Sequence, residues 1–201
     1  MASISPFSIE KDQLRTALAG SIQGTWIGDG TDVFPTPNGP VSTEYVETMK
    51  LGELFEVVNP GGPGTQQTLI GIRYSTQLAN KQTNAAMHQE TGYWLFDAQN
   101  GSFMKAISIP RGITILAGGG FFPVSLQRTP LGVFIFASAE NSSNVFGISN
   151  ATFLEQVAPT TKFTSQIMVV DNALSYFESS MLTIQGQSLQ HTDTATLTKQ
   201  A

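Results

Sequence analysis

The chain has 201 residues, of which 40% are hydrophobic and 12% charged, with a net charge of −5 and no cysteine. That length suits one all-β core, and the lack of cysteine excludes disulfides, thiolate metal sites and a cysteine nucleophile. Ten Lys plus Arg, scattered along an acidic chain without a basic cluster, exclude phosphate-backbone binding as the main role.

Met1 to Glu10 lacks a cationic stretch followed by an apolar one, so no signal peptide is expected, and no apolar run approaches the roughly eighteen residues of a membrane span. The expected location is the cytoplasm. Ser8 to Ala19 reads as a helix, with Ser8 as N-cap, Leu14, Ala17 and Leu18 at helical spacing, and Gly20 as a stop. Residues 1–19 are thus a helical lead-in, and 20–201 one β-barrel domain. In Gln23 to Gly30 glycines flank Thr25 and Trp26; close backbone approach and a large apolar face fit the opening strand of a closed barrel. Pro35, Pro37 and Pro40 predict an irregular loop.

From Tyr45 the period is two: Tyr45, Glu47, Met49 and Leu51 alternate with Val46, Thr48 and Lys50. Pro60 to Gly64 marks a turn, and Leu69 to Thr76 resumes as strand. Asn100-Gly101 is a hairpin signal between Tyr93–Asp97 and Ser102–Ile109, Pro110 to Gly112 ends that strand, and Ala117-Gly-Gly-Gly120 reads as a turn. Leu131 to Ala139 is a further strand, and Asn150 to Val157 a short helix. Two long strands follow, with turns at Asp171-Asn172 and Gln185-Gly186, before the closing segment Ser188–Lys199. The total is nine or ten strands at hairpin spacing, an all-β pattern that favours an antiparallel up-and-down barrel over a sandwich.

The chemistry gathers in Met87 to Asp97, where His88 and Glu90, two residues apart on a strand, share a face. Gly92 marks a bulge or a close backbone approach. His88 has three candidate roles: meeting a ligand carboxylate, ligating a haem, or hydrogen-bonding Glu90. Trp26, Tyr93 and Trp94 read as core or as ligand stackers. Arg73 and Arg111, two of only four arginines, lie in or beside apolar strands; an arginine directed into a barrel meets a carboxylate, internal or from a ligand. No histidine accompanies a Gly-x-Ser-x-Gly elbow, so no catalytic residue is assigned. His191 and Asp193 share a strand face but are too few for a structural metal site.

Gly24-Thr-Trp-Ile-Gly-Asp-Gly30 with Phe34-Pro35-Thr36, then Met87-His-Gln-Glu-Thr-Gly-Tyr-Trp94, then Leu174-Ser-Tyr176 and Leu189-Gln190, resemble the nitrobindin family. These are fatty-acid-binding-protein-like (calycin) β-barrels, some of which hold haem b. The resemblance spans about residues 20 to 199, and implies that Met87, His88, Ile109 and Ser180 face an interior pocket. The family's axial histidine lies in the last strand, followed by Ala and Leu three and five residues on. Aligning Ala195 and Leu197 without a gap places Thr192 there, with His191 one residue away and so on the opposite face unless a bulge near Gln190 intervenes.

The expected function is therefore a binding protein that holds a small hydrophobic molecule, such as one with a fatty-acid-like carboxylate. Its expected ligand-binding residues are Trp26, Arg73, Met87, His88, Glu90, Ile109, Arg111, Ser180 and Thr192. The alternative is a nitrobindin-type haem protein in which His191 or His88 holds the iron and the site acts on nitric oxide or isomerises peroxynitrite. A barrel packed solid is the third reading. The expected partner is a small molecule rather than nucleic acid, and a homodimer is left open.

Overall fold

The computed structural model describes residues 10–36, 38–62, 65–124 and 132–201. Ser8, Pro37, Pro63, Gly64 and Leu131, on which sequence expectations fell, lie outside them. A helix, α1 (Lys11–Ser21), leads into β1 (Gly24–Thr36), β2 (Gly39–Asn59), β3 (Gln67–Asn80), β4 (Ala86–Asp97), β5 (Ser102–Ile109), β6 (Ile113–Pro123) and β7 (Val133–Glu140). Then come the short β8 (Ile148–Asn150), helix α2 (Thr152–Val157), β9 (Thr160–Val170), β10 (Ala173–Ile184) and β11 (Gln187–Lys199).

Every strand pairing is antiparallel. The ladder runs β5-β4-β3-β2-β1-β11-β10-β9-β7-β6, and pairing of β5 with β6 closes ten strands into a barrel. The eleventh, β8, takes up Ile113–Ile115 of β6, where the β7 pairing has ended. Among the described residues no helix is long and apolar enough to cross a membrane.

Period two decides what points inward. Tyr45, Glu47, Met49 and Leu51 of β2 are buried while Val46 and Lys50 are exposed, as the alternation predicted. At one end α1 plugs the barrel. Its Leu14 and Leu18, together with Ile22, are essentially inaccessible and join Trp26 and Phe121 in the core. Burying each such side chain contributes about 1.5–3 kcal/mol, which fixes the plug. Trp26 Nε1 donates to Ile22 O at 2.8 Å, tying β1 to the end of α1.

Two sequence expectations are corrected. Pro35 and Pro40 do not form a loop; they face each other in register across the β1–β2 hairpin. Each lies one residue from the turn, next to the last pair of the hairpin, where a missing N–H costs the ladder least. Ala117 to Gly120 is not a turn but the middle of β6. A Cβ on Gly118 would meet the Phe146 ring at 2.1 Å, so the glycine is the seat for an aromatic side chain lying across the strand.

Candidate functional site

Opposite the α1 plug the barrel contains a cavity of about 500 Å³. Its apolar wall is Ile107 and Ile109 from β5, Ile113 and Ile115 from β6, Phe163 from β9 and Leu182 from β10; Leu154 and Ala158 close it from the α2 side. Phe34 and Met87 stand at the rim. Register slips between Leu78 and Ala79 in the β3–β4 ladder, where Leu78 pairs with His88 and Ala79 with Ala86. Met87 is the extra residue of this bulge, so Met87 and His88, though consecutive, both line the cavity. From His88 onward the alternation is regular and Glu90 follows on the same face.

Below the cavity, and sharing His88, Glu90, Glu178 and Asp193 with it, lies a chamber of about 30 Å³. Its ionic centre is Lys105, whose side chain is 3% exposed, with Nζ 2.6 Å from Glu178 Oε1 and 3.3 Å from Glu90 Oε1. Tyr74 donates to Glu90 at 2.9 Å and Ser165 to Glu178 at 2.8 Å. Burial alone would raise the Glu90 carboxyl, but the Lys105 charge with His88 and Tyr74 holds it well below the usual carboxylate range. For His88 burial works against the charged form, yet Glu90 outweighs it and the net shift is upward.

A second chain of hydrogen bonds runs alongside. Tyr176 donates to Glu47 at 2.6 Å, Thr76 donates to the same carboxylate, and the Tyr45 and Tyr176 hydroxyls are 2.9 Å apart. Tyr45 in turn donates to Asp193. Burial pushes Glu47 up to about 7 against the pull of Thr76 and Tyr176, and pushes Asp193 up to about 7 against that of Tyr45. The floor of the site is thus rich in carboxylates, with one lysine already engaged twice.

Met87, His88, Glu90, Ile109, Arg111 and Ser180 all line the cavity. His88 and Glu90 form a long contact of 3.5 Å, and Arg111 donates from Nη2 to Met87 O at 2.6 Å at the exposed rim. Three expected residues lie elsewhere. Trp26 is fully buried in the core at the plugged end, because it sits at the start of β1. Arg73 points outward between the buried Ile72 and Tyr74, so period two removes it from the lumen.

Thr192 and His191 exchange the places expected of them. Both pairings of β11 are unbroken from residue 192 through 197, and the β10 pairing continues through His191, without a bulge. His191 therefore shares a face with Asp193, Ala195 and Leu197 and lines the cavity, while Thr192 does not. His191 Nε2 is hydrogen-bonded to Asp32 Oδ1, and Phe34 packs edge-on to the imidazole with ring centroids 5.4 Å apart.

Lys105, Glu178, Asp32, Glu47 and Tyr176 complete the site without having been singled out from the sequence as site residues. The signal was present in Phe103-Met-Lys-Ala-Ile107, where Lys105 falls on the same face as Phe103 and Ile107.

The solved structure of Rv2717c from M. tuberculosis is similar in fold, with a TM-score of 0.67 at 20% identity over 92% of this chain and 98% of that one. No curated protein matches the chain. The family model described as THAP4-like, heme-binding beta-barrel domain matches residues 18–199, nearly the full length, and the chain belongs to that family of ligand-binding barrels.

Proposed function

We propose that the barrel binds a small, largely apolar molecule inside its open end. The observation that carries this reading is the 500 Å³ cavity with its wall of isoleucines and a few convergent polar groups, within the roughly 300–1,000 Å³ of small-molecule sites. Burial of the ligand against that wall supplies affinity at about 25 cal/mol per Å². A carboxylate end would sit at the rim, where Arg111 has further N–H donors, since the floor is acidic and Arg73 lies outside. The neutral dye Nile red should bind with enhanced emission and be displaced by medium-chain amphiphiles; failure of the dye and of a broad apolar panel to bind would overturn the reading.

A second reading, haem b in the same cavity, is favoured by His191. An imidazole on the last strand lines the lumen, and with Asp32 bonded to Nε2, as carboxylates orient ligating histidines, Nδ1 is the nitrogen left for iron. His191 would hold the iron, the isoleucine wall would exclude water, and Arg111 would meet a propionate. Haem, when bound, would supply an iron centre able to take up nitric oxide or handle peroxynitrite. Hemin added to the purified protein should then give a Soret band that is lost in His191→Ala and retained in Thr192→Ala. An unchanged free-hemin spectrum would eliminate haem.

A further inference from the structure

The chamber beneath the cavity has room for one small group: about 30 Å³ is close to the volume of a single water. Acceptors line it, in Glu47, Glu90, Glu178 and Asp193. Each of these already accepts a hydrogen bond or ion pair, but a carboxylate has about four lone-pair sites. Independently, Trp94 forms part of the chamber wall and is fully buried, and its indole Nε1–H meets no acceptor among the described residues. An orphan buried donor is destabilising unless something accepts from it. What the chamber lacks is therefore one group that accepts from Trp94 and donates to a carboxylate.

We infer that the ligand's inner end is a neutral hydroxyl, seated in this chamber between Trp94 and the carboxylate floor, with the apolar body in the cavity above. This rests on the proposal that the cavity binds an apolar molecule, and narrows it to alcohols. A carboxylate head entering here would bring a further negative charge among four acids whose nearest fixed cation, Lys105, is shared between Glu90 and Glu178. An ether oxygen accepts but cannot donate. The shared wall of His88, Glu90, Glu178 and Asp193 makes cavity and chamber neighbours, so one molecule can occupy both.

The test is displacement of Nile red from the intact protein by decanol, decanoate and decyl methyl ether at about pH 8, where the acid is ionised. Decanol should bind about tenfold more tightly than the ether in the wild-type protein, and than decanoate in Arg111→Ala, the size of one well-made buried hydrogen bond. In Trp94→Phe the preference for decanol over the ether should fall while ether affinity is kept. Decanoate binding as well as decanol in Arg111→Ala, where no rim arginine can hold the carboxylate, overturns the inference. So does decanol binding no better than the ether in the wild-type protein, the result expected if a resident water fills the chamber. If Nile red itself does not bind, the cavity reading falls and this inference with it; if Nile red binds and the alcohol preference is missing, this inference alone falls.

Discussion

Lys105→Met tests whether the interior charges hold one another in place. In the folded protein the ammonium lies 2.6 Å from Glu178 and 3.3 Å from Glu90, and the three side chains are 3%, 16% and 9% exposed. Methionine fills the volume but strands two carboxylates in a poorly solvated interior, with Tyr74, Ser165 and His88 as their remaining protein partners. Breaking a buried pair in this way costs about 3–5 kcal/mol, against a total of about 5–15 for a domain. At about 2–4 °C per kcal/mol for this size, the melting temperature should drop by about 6–20 °C.

Urea unfolding followed by tryptophan fluorescence at neutral pH measures the loss. Glu90 in the wild-type protein is held below its usual value, so its contribution is present above about pH 4.3 and fades only as pH falls through the lower folded value. In the variant the sign reverses. With Lys105 gone, burial pushes Glu90 toward its protonated form, so the defect should shrink toward about pH 5. The triple variant Glu90→Gln, Lys105→Met, Glu178→Gln should recover much of the loss, because no unpaired charge remains. A loss below about 1 kcal/mol, or one indifferent to acidification, would refute this account of the interior.

Glu47 and Asp193 give the opposite pH signature. Both are raised to about 7, so between about pH 4 and 7 the unfolded chain has released protons that the folded one keeps, and stability falls as pH rises. His88, also raised, adds the same sign near neutrality. Urea midpoints should decline from about pH 5 to 8, and the double variant Glu47→Gln, Asp193→Asn should flatten that decline; an unchanged slope would contradict the assignment. Gly92→Ala should destabilise by about 1–3 kcal/mol or more, since its Cβ would stand 1.8 Å from Ala106 O in the neighbouring strand. A neutral effect in thermal melts would show that β4 and β5 can part there.

Wherever one face of a strand is apolar, the fold was legible, because period two and the turn signals act locally. The alternation of β2, the hairpin at Asn100-Gly101 and the short helix before β9 are all of this kind. Gly92, left between bulge and close approach, is the latter: the β4–β5 ladder runs through it without a shift. The polar interior was harder to read. A lysine in Phe103–Ile107 and a glutamate in Leu174–Leu182 look like surface residues until the barrel closes and brings β5 and β10 within reach across the lumen. Met87 was beyond local rules, since a bulge is set by the partner strand. For His191 the gapless alignment gave the wrong face: the unbroken register of β11 puts it on the side of Ala195 and Leu197, which line the interior.

Around most of the circumference, separating two neighbouring strands means tearing a row of backbone bonds. The stretch between β8 and β9 is made differently. There the Asn150 amide donates to Thr160 O and accepts from Thr160 N, both at 3.1 Å, and α2 carries Leu154 and Ala158 over the gap. One side chain spans what elsewhere takes a whole ladder. A guest arriving from this flank would have to unclasp Asn150 and lift α2, leaving the hoop of ten strands intact.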